Sequence, residues 1–325
     1  MQSSSARPVI LCPMGGLANR MRAIDSALTL CRRFDRPLEI VWLRDARQIN
    51  ARFSDLFDPP ERPGVSLREA TRLDRLRFSP PVWRRNAKLP LLWQFLRFGS
   101  RRRLSIARGL ALQRQGAIPP QFALRDRTVF LPAWWQIIPT EERYAFFQPV
   151  ASLRAEIDAL AGSLSPGRAM GVHVRRGDHA QAARRSPIEA FEARMDAILA
   201  TGEASFFFLA TDDPGVRARL ARRYGDRLRF REGSSDRSSL AGMRGAVADL
   251  WTLARCARVL ASSGSTFGPT AATLGGIPCE TVIVPPAASP ASTCSGSPLR
   301  SWLSCSTRRL VNIKKSGLFP SAFFW

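Results

Sequence analysis

The sequence contains only two histidines, and its only lysines are Lys88, Lys314 and Lys315. Its six cysteines, Cys12, Cys31, Cys256, Cys279, Cys294 and Cys305, are scattered without a CxxC pair. That spacing excludes a zinc finger and a dense disulfide framework; reduced thiols in a cytoplasmic setting are the expectation. No run of about 18 apolar residues is available to span a bilayer, and the opening MQSSSARPVILCPMGG has too short an apolar stretch for a signal peptide. A Walker phosphate loop, a GxGxxG dinucleotide fingerprint and a GxSxG nucleophile elbow are all missing, which disfavours a P-loop kinase, a nicotinamide enzyme and an α/β-hydrolase.

What is present is apolar substance and positive charge. With 45% hydrophobic residues over 325 positions the chain can bury a substantial core, and its length suggests about two domains. The net charge of +23 comes almost entirely from arginine, and the pI near 11.5 predicts an anionic partner or surface. Nucleic acid, acidic lipid and nucleotide phosphates all qualify.

The pattern of elements narrows this. VILC (residues 9–12) reads as a buried strand, a glycine turn follows, and Leu17, Met21, Ile24, Leu28 and Cys31 recur at helical spacing before the strand LEIVW. Strand, helix and strand in that order form a βαβ unit. Residues 59–127 lose any clear period and become arginine-rich and punctuated by proline, with Trp83, Trp93, Phe95 and Phe98 interleaved among basic residues. Helices with basic outer faces are one reading of this segment, and an acceptor-binding or membrane-surface patch is another. Regularity returns after SLSPGR (163–168), which reads as a linker. MGVHV is a strand, Ser186-Pro187-Ile188-Glu189 opens a helix with a capping-box pattern, and SFFFLA is a strand. Helix 214–224, strand 227–230, helix 246–256, strand 259–262, helix 268–274 and strand 281–284 complete the series. The expected fold class is α/β, with doubly wound parallel sheets. We expect domains at 1–165 and 166–284, followed by a basic, serine- and proline-rich tail at 285–325 with no imposed fold.

In such sheets ligands bind beyond the carboxyl ends of the strands. Four polar loops fall there: GG at 15–16 with Asn19, RRGDH at 175–179, TDD at 211–213 and SSGS at 262–265, which leads into Thr266. A planar guanidinium from Arg175 or Arg176 can take two phosphate oxygens at once, while Asp178 can pair with an arginine to hold the turn. SSGS offers hydroxyls and N–H groups at a helix start, where a phosphate is favoured, although serine is also an ordinary cap. Asp212 and Asp213 precede Pro214; a helix cap is the preferred reading over a magnesium site. His173 reads either as a core histidine or as a ligand contact, and its six-residue separation from His179 argues against zinc.

GGLANRMRAI, GVHVRRGDH, FFFLATDDP and DLWTLARCARVLASSGSTFGPTAATLGG resemble, in order and spacing, the motifs of the fucosyltransferase superfamily that includes α1,2-, α1,6- and protein O-fucosyltransferases. HVRRGD is closest to the α1,2 branch, and FLATDD to the α1,6 branch with its bacterial nodulation enzymes. The resemblance covers residues 171–276 and the amino-terminal turn. It implies a GT-B-like arrangement of two Rossmann-like domains facing a crevice, with an acceptor-side first domain. It also implies a hexosyltransferase using GDP-fucose as donor, inversion at the anomeric carbon, no metal, and a cytoplasmic bacterial setting.

By motif position, Arg175 is implied to meet the β-phosphate, His173 and Asp249 the guanine end, and Ser265, with Ser263 and Thr266 beside it, the phosphates. Gly16 and Asn19 border the donor, while Asp178, Asp212 and Asp213 position loops. The glutamate that follows the arginine loop in the α1,6 branch is replaced here by AQAARR (180–185), so His179, Asp178 or an acid of the first domain becomes the candidate base. Expected partners are a GDP-sugar and a glycan, lipid-linked sugar or protein acceptor. An acidic membrane surface, at the inner membrane face, is a further candidate, and no specific nucleic acid is expected. Two rival readings stand beside this one: a basic nucleic-acid-binding protein, and a degenerate transferase that binds nucleotide without turnover.

Overall fold

The computed structural model describes residues 6–78, 88–164, 169–177 and 180–284. The expected tail at 285–325, the SPGR portion of the linker, and both Asp178 and His179 therefore lie outside the described residues. Contacts divide the chain into one unit of Met1–Ile283 and another of Val284–Trp325. Both sheets belong to the first unit.

Nine strands form two parallel sheets among the described residues. The first holds β1 (Val9–Pro13), β2 (Leu38–Trp42), β3 (Val65–Glu69) and β4 (Val129–Ala133), in the order β3-β2-β1-β4. The second holds β5 (Ala169–Val174), β6 (Phe206–Thr211), β7 (Leu228–Phe230), β8 (Arg258–Ser262) and β9 (Cys279–Val282), in the order β7-β6-β5-β8-β9. Every ladder is parallel, so the carboxyl ends of neighbouring strands share one edge. In both sheets the strand order reverses beside the first strand, at β1/β4 and at β5/β8. Those reversals open the crevice in which doubly wound folds hold their ligands.

Helix α1 (Leu17–Arg33) buries the expected stripe of Leu17, Met21, Ile24, Leu28 and Cys31. It ends two residues later than its apolar pattern, because Arg32 and Arg33 complete the last turn where cations suit the helix dipole. Residues 72–114 carry α2 (Arg72–Phe78), α3 (Lys88–Arg102) and α4 (Ile106–Arg114). Helices α2 and α3 send Phe78, Trp93 and Phe98 onto Phe130 and Val41 of the first sheet. The chain leaves α5 (Ala151–Gly162) for the second sheet, whose connections are α6 (Ala180–Arg185), α7 (Ile188–Thr201), α8 (Pro214–Tyr224), α9 (Leu240–Leu253) and α10 (Phe267–Gly275). Buried residues from both sheets join in one apolar cluster, reaching from Leu11 and Ile24 through Phe53, Phe147 and Leu153 to Val247 and Ala261. Phe57 meets Trp251 across it at 5.7 Å, and aromatic pairs of this kind each add about 0.5–1.5 kcal/mol beyond area burial.

Three sequence-based boundaries are corrected. The expected capping box at Ser186–Glu189 does not form: Pro187 is the N-cap of α7, without a side-chain hydrogen bond. Ser186 is instead fully buried, donating to the Val282 carbonyl and accepting from Ser263 N, because it is drawn into the sheet edge. Helix α9 begins six residues before the expected position 246, since Ser239 accepts from Gly242 N and starts the helix there. The last strand runs 279–282 rather than 281–284, its register set by Cys279 opposite Val259.

Candidate functional site

The carboxyl edge of the second sheet is organised around Asp212, the residue after β6. Its Oδ2 accepts from Arg175 Nη1, and its Oδ1 accepts from Arg176 N at 2.8 Å. A second guanidinium, Arg237, stands 4.0 Å from the same Oδ2. Arg175 is held from its backbone too, donating from N to Ser262 Oγ at 2.9 Å. Its side chain is only 14% exposed, so a strongly anchored cation stands at the end of the strand beside the sheet's reversal point. Arg176 points the other way. Its Nη2 donates to the Ser186 carbonyl, tying the arginine loop to the start of α7.

Asp213 is the N-cap of α8, accepting from Val216 N at 3.0 Å with Pro214 in the first turn. Gly177 makes room for this arrangement, because a Cβ there would stand 2.6 Å from Asp212 Oδ2. Asp212 and Asp213 are thus both committed to shaping the loop. Among the described residues, no cluster of three or more His, Cys, Asp or Glu side chains is placed to hold a metal.

The loop after β8 faces the turn after β1. Gly264 takes a φ of 75°, a conformation that favours glycine, and leads through Ser265 into α10, whose N-cap is Thr266. Ser265 Oγ accepts from Phe267 N at 3.4 Å, and Thr266 makes no side-chain cap. Across the crevice, Gly15 at φ 83° and Gly16 form a tight turn, and Gly16 caps α1 without a side chain. A Cβ on Gly15 would strike Asn19 at 2.9 Å. Asn19 Oδ1 accepts from Thr266 Oγ1 at 3.0 Å, so two helix N-termini without side-chain caps meet at one interlobe hydrogen bond. Backbone N–H groups and the positive ends of both helices therefore converge there.

His173 lies on β5, two residues before Arg175, nearly buried and stacked on Phe267 at 5.0 Å. Burial, followed by the nearby Arg175 charge, lowers its pKa to about 3, so the imidazole is neutral at physiological pH. Its Nδ1 has no hydrogen-bond partner in the structure. Asp249, on α9, stands 3.4 Å from Arg231, the residue just past β7. Burial raises the Asp249 carboxyl to about 7, against the opposing pull of Arg231. Gly242 and Gly245 make this possible: a Cβ at Gly242 would strike the Asp236 backbone at 2.0 Å, and one at Gly245 would strike the Arg231 guanidinium at 2.1 Å.

The structure brings Arg175, Asp212, Ser263, Ser265, Thr266, Gly16 and Asn19 to one crevice edge, with His173 just behind them in β5. Asp213 faces away into its helix, and Asp249 stands with Arg231 at the neighbouring strand end. Arg231, Arg237 and Asn50 are not singled out by the sequence pattern, and Ser186 is read there only as a helix cap. Asn50 crosses between the lobes, donating from Nδ2 to the Ser238 carbonyl at 2.8 Å. Arg231 obeys the same strand-end rule that marks the other loops, so its position after LRF is a usable signal. The buried role of Ser186 is hidden behind its resemblance to a helix cap.

Arg20 holds the first wall of the crevice. It is fully buried, donates to the Gly15 and Leu43 carbonyls, and lies over the Trp42 ring at 4.6 Å. The thiols of Cys12, Cys31 and Cys256 are buried, and burial pushes each to about 12, so none is poised as a nucleophile.

No family model matches this chain, and no curated protein matches it. Solved structures do. The α-1,6-fucosyltransferase NodZ soaked with GDP-fucose is 23% identical, covers 83% of this chain and 92% of its own, and superposes with a TM-score of 0.57. Fucosyltransferase NodZ from Bradyrhizobium gives 22% identity over 82% and 92%, with a TM-score of 0.56. A variant of Arabidopsis thaliana FUT1 in complex with GDP gives 14% identity over 86% and 71%, with a TM-score of 0.53. The two parallel sheets, their strand order and the crevice between them give this chain the GT-B-like α/β fold shared by these fucosyltransferases.

Proposed function

We propose that the protein transfers fucose from GDP-fucose to a hydroxyl of a glycan or glycoconjugate, with inversion and without a metal. Residues 1–165 serve the acceptor side and residues 166–284 bind the nucleotide. The observation that carries this reading is that Arg175, clamped by Asp212, is tied through its backbone N–H to Ser262, the residue that opens the loop leading to the meeting point of two helix N-termini without side-chain caps. A fixed cation with convergent N–H groups suits a diphosphate, whose charge grows as the sugar–phosphate bond breaks. Neighbours of the same fold are described with GDP-fucose or GDP bound, which supports the choice of nucleotide.

In this reading Arg175 binds the β-phosphate and stabilises departing GDP, a role that requires no metal. Ser263 and Ser265 donate their hydroxyls to phosphate oxygens, Thr266, whose hydroxyl is held by Asn19, offers its backbone N–H, and Gly16 with Asn19 lines the opposite wall. The Asp249 carboxylate accepts from guanine N1–H and N2–H₂, while neutral His173 offers a hydrogen bond near the nucleoside. Asp178 braces the arginine loop, and Asp212 keeps Arg175 aimed. For the base that receives the acceptor proton, His179 is the first choice and Asp178 the second. Among the described first-lobe acids, Asp45 is the alternative, because it follows β2 in the same loop as the interlobe residue Asn50.

The test is transfer from GDP-fucose to a panel of glycan acceptors, with and without EDTA, and with the anomeric configuration of the product read by NMR. Inverted product formed in EDTA is expected. A retained configuration, or loss of transfer on chelation, overturns the corresponding part of the mechanism. GDP binding without transfer to any acceptor would favour the degenerate reading.

A further inference from the structure

Helix α3 has two faces that both carry large apolar side chains, and the sheet uses only one. Trp93 and Phe98 turn inward onto Phe78 and Phe130. Leu89, Leu92 and Leu96 follow one outer stripe at 72%, 55% and 73% exposure, with Phe95 beside them at 61%. Helix α2, packed against α3, adds Leu73 and Leu76 at 50% and 53%. Scattered exposed leucines need no explanation, but six large apolar side chains on two adjoining helices form a patch that does.

The surroundings of this patch are almost wholly basic. Among the described residues, 72–78 and 89–108 contain eight arginines and one acid, Asp74. That acid is buried and already engaged by Arg68 at 2.6 Å. Arg72, Arg97, Arg101 and Arg108 are exposed. A cavity of about 380 Å³ beside Phe95 is lined by Leu91 and Phe95, by Ser100 and Ser105, and by Arg103 and Arg108. Gly99 forms one side of it at φ 63° and ψ −178°, a conformation open essentially to glycine alone.

We propose that the α2–α3 face docks the protein on an anionic lipid bilayer. The leucines and Phe95 enter the headgroup–acyl boundary, the arginines meet lipid phosphates, and the half-apolar, half-basic cavity receives one headgroup phosphate. This inference does not depend on the GDP-fucose reading. Nucleic acid fits the face less well, because single strands reward stacking on aromatic rings, and five of the six exposed side chains are leucines. A second copy fits less well too, since apposing two such faces sets arginines against arginines with no acids to offset them.

Flotation of the full chain with vesicles of phosphatidylcholine, with and without roughly a third phosphatidylglycerol, tests the proposal. Wild type is expected to float with anionic vesicles only, and less so as salt rises. The double variants Leu92→Glu/Leu96→Glu and Arg97→Glu/Arg101→Glu are each expected to lower partitioning at least about tenfold. The control Arg222→Glu/Arg227→Glu, the same charge change on exposed residues of the second lobe, is expected to change it less than about twofold. All three pairs are exposed, and thermal unfolding verifies that each variant folds. Absence of flotation with anionic vesicles, or an equal loss in the control, overturns the proposal. A homodimer dissolved by the leucine pair, or an oligonucleotide that displaces vesicles and is itself lost in that pair, overturns it in favour of the corresponding partner.

Discussion

At the carboxyl edge of the second sheet, charged side chains are tied to one another, Arg175 to Asp212 and Arg231 to Asp249. At the same edge of the first sheet the ties run to the backbone. Arg20 is spent on the Gly15 and Leu43 carbonyls, and the turn after β1 presents N–H groups with no side chain over them. The two lobes have the same strand order around their first strands, so the difference lies in the loops. One lobe supplies a preset charge, and the other a close, bare wall against which a flat ligand can be pressed.

If that division is right, the lobes should respond differently to substitution. The largest effect is expected from Arg175→Ala, which removes the cation and leaves Asp212 only the more distant Arg237 guanidinium. GDP affinity should fall about a hundredfold or more by calorimetry, in line with the cost of truncating one member of a buried charge pair. A smaller effect on the same lobe should follow Gly242→Ala, because a Cβ at 2.0 Å from the Asp236 backbone must displace the loop that carries Arg231 and Arg237. The expected loss is about 1–3 kcal/mol in denaturant unfolding.

Asp249 gives the comparison a pH axis. Its carboxyl is raised by burial to about 7, so the native state holds a proton there that an unfolded aspartate has lost. Its contribution to stability is therefore complete below about pH 4 and disappears as pH rises through about 7. A guanine that needs the carboxylate reverses the trend for binding. GDP affinity should rise roughly tenfold between about pH 6 and 8, and the rise should vanish in Asp249→Asn. The smallest effect is expected from the first lobe's side-chain link to Thr266: Asn19→Ala should weaken GDP binding by about 0.5–1.5 kcal/mol, the worth of one hydrogen bond.

The contrast between the lobes also explains what could be read from the letters. In the second half short strands alternate with short helices, and each polar loop follows a strand directly, so RRGDH, TDD and SSGS mark the crevice by their order alone. In the first half β3 is an edge strand, VSLRE, half-exposed along its length. Only Val65 and Leu67 alternate as apolar positions, too short a signal to stand out, and Arg68 finds its partners sideways, in Glu39 and Asp74. The helices that follow are apolar on the outside as well as the inside, which erases the helical period. Ser186 illustrates the other limit. A serine three residues before a glutamate looks like a cap, and only the packing of β8 and β9 beside it reveals that its hydroxyl is claimed by Val282 and Ser263.

The most direct measurement is titration of the wild-type chain with GDP, in parallel with UDP and in the presence of EDTA. Saturable one-to-one binding of GDP that is stronger than UDP and unchanged by chelation is the predicted result. No GDP binding, or equal affinity for UDP, would contradict the assignment of the Arg175 crevice as a guanosine-diphosphate site.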